Sequence, residues 1–335
     1  QERTGFPGER VMVSATHNHA GPAIAHCGDS PRDDAYLEEL VGRVAGLFSE
    51  ALGAMEAAEV GFGSAFEFRV AHNRRVLMRD GTTRTHGNFS DPMALCIEGP
   101  MDPEVAVLAA RAPDGRLLGC LVNYACHPTE HGGDTLFSAG YPGVLAGAMK
   151  ERGCPVTLFL NGACGDVHTA NPCGPSVTME DAGRILAEDA ARVIEGMAWR
   201  SQVRLDSRSR TLQLPYREPT EAEVTSTAFG AQPFRPEMYL RRMPEVVARI
   251  RERRTQPAEV QVHRLDEIAV AAIPAEYFCA HGLRIKREAH PAHALVVSCA
   301  NGMVGYVPTR EAFAHGGYET TFAGHSRPPP KRATC

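Results

Sequence analysis

Residues 115–128 read GRLLGCLVNYACHP. A leucine- and valine-rich run opens on glycine and stops at a histidine followed by proline. Short apolar runs bounded by such breakers predict a buried strand, here over Gly115–Ala125. Its end delivers His127 to whatever lies beyond the sheet. The same pattern recurs along the chain. RVMVSAT (Arg10–Thr16) predicts a short buried strand ahead of His17-Asn18-His19. PVTLFLNG (155–162) predicts a strand running into a loop with Asp166 and His168. EIAVAAIPAE (267–276) predicts a strand ending at Glu276, and HALVVSCANGMVGYVPT (293–309) a strand or hairpin reaching Tyr306. Strand ends of α/β sheets commonly present side chains to a shared crevice.

Helical periodicity fills the gaps. Leu37, Leu40, Val41, Val44, Leu47 and Phe48 recur at helical spacing within 33–52. Residues 141–153 predict a short helix ending at a glycine. Residues 176–197 predict a long one, with Thr178 and Asp181 placed as a cap. Residues 236–254 and the segment after Glu276 predict two more. Strands are also expected over 60–68 and 201–216, and 217–235 is the least ordered stretch. The expected fold class is α/β: a layered domain with mixed β-sheets flanked by helices and a metal site at strand ends.

Composition narrows the function. The 335 residues are 43% hydrophobic with a net charge of −5, enough to bury a large core. No basic tract points to nucleic acid. No apolar run approaches the roughly 20 residues of a membrane span, so no transmembrane segment is expected. The chain starts at Gln1 without a secretory leader and reads as trimmed at its start, so a signal peptide stays open. The expected division is a catalytic domain over 1–320 and a disordered, Pro-rich tail over 321–335. Ten cysteines form no CxxC pair, and Cys96, Cys120, Cys126 and Cys299 fall in or beside predicted buried strands. That usage favours reduced thiols and a cytoplasmic protein.

His17 and His19 are two apart, so on an extended segment both imidazoles face one side. Adding His127 and Glu276 gives a His/His/carboxylate set suited to Zn2+. Plain structural readings stand beside this one. His127 can be a strand-end histidine satisfied by backbone, and Glu276 a carboxylate at a helix N-terminus. Tyr306 can be ordinary core, the GACGD segment a tight turn, and Arg74 with Arg75 a solvated pair. His26, His72, His86, His263, His281, His290, His293, His315 and His325 take a structural reading by default.

Taken in order, SATHNHAGP, HNRR, VNYACHPT, FLNGACGDV, IPAEYF and NGMVGYVPTREAF followed by GGYE resemble the catalytic domain of the neutral/alkaline, non-lysosomal ceramidases. The resemblance spans roughly residues 10–320. It implies a zinc-dependent amidase that hydrolyses an N-acyl bond of a lipid or small-molecule substrate with a metal-activated water. It implies His17, His127, Glu276 and Tyr306 as zinc ligands. His19 falls on the second histidine of the family's His-Thr-His and is implied as a proton-transfer group. Arg74 and Tyr318 are implied as groups that orient substrate or its oxyanion.

The chain departs from the family at three places. His168 lies where the family has an active-site serine, and is expected to act as an acid/base or an added ligand. Ser138-Ala139-Gly140 lacks a family carboxylate, and no immunoglobulin-like domain follows Tyr318. These loops leave open a different small amide or ester as substrate, and a non-catalytic binding protein that keeps the fold. The oligomeric state is not legible.

Overall fold

The computed structural model describes residues 4–132 and 135–323. The expected tail lies outside the described residues from 324 onward.

In chain order, α1 (Asp34–Gly53) precedes β1 (Glu59–Phe66), β2 (His72–Asn73), β3 (Arg75–Met78), β4 (Thr83–Thr85) and β5 (Ala94–Ile97). β6 (Glu104–Arg111) and β7 (Leu117–Tyr124) form an antiparallel pair, and α2 (Gly140–Glu151) crosses over to β8 (Thr157–Asn161). Next come β9 (Val167–His168), α3 (Met179–Glu195), β10 (Trp199–Arg200), β11 (Leu205–Pro215), α4 (Glu221–Val224) and α5 (Pro236–Arg253). The last part runs β12 (Thr255–Leu265), β13 (Ile268–Ala272), β14 (Glu276–Tyr277), α6 (Cys279–Glu288), β15 (His293–Val297), β16 (Tyr306–Val307) and α7 (Arg310–His315).

The larger sheet has the order β10-β1-β6-β7-β8 and the next the order β11-β12-β13-β15. Both are mixed: β7–β8 and β13–β15 are parallel and the other pairs antiparallel. β6 shows why they stack. Its side chains alternate, so Val105, Val107 and Ala109 pack with Leu145 and Met149 of α2 and Leu186 and Ala190 of α3. Ala106, on the opposite face, joins Leu160, Val270 and Leu295 in a second apolar cluster between the sheets. The layers are therefore helices, sheet, sheet, the α/β arrangement expected. Truncating a core residue such as Leu186 to alanine costs about 2–5 kcal/mol at sites of this kind. α3 starts where expected, with Asp181 N donating to Thr178 Oγ1 at 3.0 Å. A Cβ on Gly183 would lie 2.5 Å from Val144 Cβ, so glycine is what lets α2 and α3 approach.

The parallel pairs bring four strand ends together. Tyr124 of β7 is opposite Asn161 of β8, and Ala272 of β13 is opposite Val297 of β15. Buried Asn123 joins the sheets, its Nδ2 donating to Leu160 O at 2.8 Å and to Val296 O at 3.0 Å. Ser298 N donates to Asn161 O at 2.9 Å.

Several sequence expectations change. Arg10–Thr16 forms no strand: Val13 is 61% exposed, and the backbone pairs only briefly with the distant residues 299–301, through Ala15 N to Cys299 O and Asn301 N to Val13 O. β13 stops at Ala272, ahead of Pro274, so Glu276 sits on the separate strand β14. β15 and β16 are not a hairpin, because β16 pairs in parallel with β14. Residues 217–235 contain α4, closed by a Thr220–Glu223 capping box. Helix α1 forms, but none of its residues is buried, and Val41, Val44 and Leu47 are exposed. Cys96 is exposed, while Cys120, Cys126 and Cys299 are buried as expected. Among the described residues no helix is long and apolar enough to cross a membrane.

Candidate metal centre

Three segments meet beyond the gathered strand ends. His127 follows β7, and its Nδ1 lies 3.0 Å from Val167 O. A carbonyl can only accept, so Nδ1 carries the proton and Nε2 presents its lone pair. That lone pair lies 3.2 Å from Glu276 Oε2. His17 Nε2 lies 3.3 Å from the same oxygen. His17, His127 and Glu276 each offer one donor atom, all within 4.8 Å of one another. Two imidazoles and a carboxylate fit Zn2+, which takes N and O donors at about 2.0–2.2 Å. The three residues could thus hold a metal ion.

His17 reaches this point by a turn. Its φ is 66°, a left-handed value uncommon outside glycine. Asn18 fixes the turn, its Oδ1 accepting from Ala20 N at 2.6 Å and its Nδ2 donating to Ser138 O at 2.6 Å. His19 Nε2 comes within 3.3 Å of His17 Nε2. The two imidazoles meet as expected, but through this bend and not through an extended strand.

Electrostatics follow from one carboxylate among buried rings. Burial alone would raise the Glu276 carboxyl, but the contacts with His127 and His17 hold it well below the usual range. Burial would lower His17, but Cys299 and Glu276 lift it to about 10. Burial and the Arg74 charge push His127 down to about 4. A single positive charge is thus balanced by Glu276, and the second imidazole stays neutral with its lone pair on the same point. A metal ion requires neutral imidazoles and an ionised carboxylate, so binding would displace the extra proton from His17.

Tyr306 lies across the β14–β16 ladder, directly opposite Glu276. Burial and Glu276 raise its hydroxyl well above the ordinary value. That hydroxyl accepts from Arg74 Nη2 at 3.2 Å. Arg74 is buried, contrary to the solvated-pair reading, and donates from Nε to Glu319 Oε1 at 2.9 Å and from Nη2 to Gly165 O at 2.9 Å. Its Nη1 has no partner among the described residues. The Tyr318 ring stands 5.7 Å from that of Tyr306.

His168 is held differently. Ala170 N donates to its Nδ1 at 2.9 Å, so the ring proton sits on Nε2 and is directed to Thr129 Oγ1 at 2.8 Å. Burial and the neighbouring His86 lower it to about 2. Its ring centroid is 6.3 Å from that of His127. Both ring nitrogens are engaged in hydrogen bonds, and burial favours the neutral ring.

The sequence reading named Asp166 in its loop without giving it a role, and it gave none to several other groups here. Asp166, not Glu276, meets the start of α6: its Oδ1 accepts from Cys279 N at 2.7 Å and its Oδ2 from Asn73 Nδ2 at 2.8 Å. Glu319 is fully enclosed and accepts from Arg74, from Arg75 Nη1 at 2.6 Å and from Thr85 Oγ1 at 2.8 Å. His86 stacks edge-on against His168 at 4.9 Å, and Cys299 Sγ lies 3.6 Å from His17 Nδ1. The adjacency of Glu319 to Tyr318 was the one available signal; nothing in the spacing marks Cys299 or His86.

No protein-family model matches the chain, and no curated protein matches its sequence. The architecture is nonetheless a known one, the fold of solved ceramidase structures. The crystal structure of neutral ceramidase from Pseudomonas aeruginosa is similar to it with a TM-score of 0.68 at 20% identity, over 96% of this chain and 58% of that one. A ceramidase complexed with C2 is similar with a TM-score of 0.68 at 18% identity, over 95% of this chain and 59% of that one. The chain spans just under three fifths of the length of these two proteins.

Proposed function

We propose that this chain is a zinc-dependent hydrolase that cleaves the N-acyl bond of an amide, in the manner of a ceramidase. The observation that carries the reading is the convergence of His17 Nε2, His127 Nε2 and Glu276 Oε2 at one point within a ceramidase fold. Those three residues would hold the ion, with Tyr306 as the fourth ligand from its place opposite Glu276. A bound zinc ion supplies Lewis acidity and a lowered water pKa. The rest falls to the chain. His19 Nε2, beside His17 Nε2, takes the proton from the attacking water and returns it to the departing amine. The open Nη1 donors of Arg74, with the Tyr318 hydroxyl, stabilise the oxyanion as charge develops. Arg74 is already clamped by Glu319 and Gly165, so little reorganisation accompanies that step. A water nucleophile needs no serine, which is consistent with a histidine at 168.

The test is turnover of N-acyl sphingosines against short N-acyl amines and matched esters, before and after chelation and zinc return. Chelator-sensitive, zinc-restored amide cleavage is the expected result. Cleavage of esters alone moves the substrate class. No turnover on any of them with zinc bound overturns the enzyme reading and leaves a binding protein.

A further inference from the structure

We infer that Cys299 is the positioning residue for His17: its sulfur holds the imidazole Nδ1 so that Nε2 faces Glu276 and His127. The inference rests on the metal centre proposed above. His127 has its Nδ1 fixed by a backbone carbonyl. A metal-ligating histidine needs such a partner on its other nitrogen to set its tautomer and ring angle. For His17 the group at Nδ1 is Cys299 Sγ, at 3.6 Å.

The direction of these contacts is legible. Cys299 Sγ also lies 4.0 Å from Ala275 O, which can only accept. The thiol proton goes there. A sulfur lone pair is then left for the Nδ1 proton of His17, so Nε2 is the nitrogen that would give up its proton to an ion.

The backbone supports the same role independently. Cys299 N donates to Ala275 O at 3.1 Å, one residue before Glu276. Cys299 O accepts from Ala15 N at 3.0 Å, two residues before His17. One residue therefore braces both segments that bring donors to the centre. Cys299 has φ 53° and His17 has φ 66°, so both are held in a left-handed conformation that side chains other than glycine rarely adopt. Strain of this kind persists where the surroundings over-determine a geometry, and it concentrates at functional sites. Cys299 is 6% exposed, which keeps water from replacing it at Nδ1.

The experiment titrates the metal-stripped full chain with cobalt and, by chelator competition, with zinc. It compares wild type, Cys299→Ala, Cys299→Ser and a His127→Ala control. Cys299→Ala is expected to bind about 10- to 100-fold more weakly, with a changed visible cobalt spectrum. Cys299→Ser, whose hydroxyl can also accept from Nδ1, should recover most of the affinity and the wild-type spectrum. The metal-free unfolding midpoints of both should stay near wild type, and if the alanine variant does not fold, the serine variant decides. Equal affinity in wild type and Cys299→Ala overturns the role. So does a sulfur-to-cobalt charge-transfer band lost in Cys299→Ala, which would make Cys299 a ligand. Failure of wild type itself to bind either ion overturns the metal centre, a separate outcome.

Discussion

Glu319 Oε1 accepts a hydrogen bond from Arg74 Nε at 2.9 Å, between residues 245 positions apart. Its other oxygen takes Arg75 Nη1. All three side chains are buried, so the carboxylate balances two guanidinium groups in a medium where an unpaired charge is costly. Glu319→Gln should therefore destabilise the fold by about 3–5 kcal/mol and displace Arg74 from Tyr306. Denaturant unfolding measures this. An unchanged midpoint would mean that the arginines are solvated in solution.

Removing a ligand should separate metal binding from folding. On the proposed reading zinc would bind the native state only, so at 100 times its dissociation constant it should stabilise wild type by about 2.7 kcal/mol. His17→Ala and His127→Ala should lose both the bound zinc and this zinc-dependent rise in melting temperature. If both variants retain full zinc by elemental analysis, the ion is held elsewhere.

Gly165 offers a steric test. A Cβ there would sit 2.6 Å from Glu276 O and 3.1 Å from Phe278 Cδ1, and the first of these is backbone that cannot rotate away. Gly165→Ala should shift the Glu276 segment, cost about 1–3 kcal/mol, and weaken zinc binding more than an alanine at exposed Gly147, which meets nothing within 4 Å. Equal zinc affinity in the two variants would show that the loop can yield.

Acid stability should depend on Glu104. Its carboxylate takes Lys286 Nζ at 2.7 Å and His293 Nε2 at 2.7 Å. Burial would raise it, but His293 and Lys286 pull it down to about 2 from 4.5. A depressed folded-state value means the stabilisation is full above about pH 4.5 and is lost as the pH falls through about 2. The stability gap between wild type and Glu104→Gln should narrow across that window. A gap that stays constant would remove Glu104 as the source.

The sequence was most legible where apolar runs are long. The β7 run leads to His127, and the helical period of α2 and α3 places the outer layer. It was less legible where tertiary contacts override local pattern. RVMVSAT has the composition of a strand, yet it finds only residues 299–301 to pair with, so it stays extended and partly exposed. Glu276 was placed at the end of a strand that Pro274 stops early, and the short parallel ladder that sets it opposite Tyr306 was not legible in the local pattern, although the family resemblance had grouped the two. Arg74 and Arg75 look solvated in a polar stretch because their shared partner, Glu319, is far along the chain. Cys299 reads as a small core residue, and only the left-handed turn at His17 brings an imidazole to it.

The amide of Asn123 has a mechanical meaning. It lies four residues before His127 and bonds to β8 and to β15 of the second sheet. One imidazole of the centre hangs from the first sheet, while the carboxylate follows the second. Asn123 thus acts as an alignment pin between two plates, and its play sets the tolerance of the centre. A slip of one ångström between the plates would be about half a zinc–nitrogen bond length, so the accuracy of the site is fixed some distance from the atoms that would touch the ion.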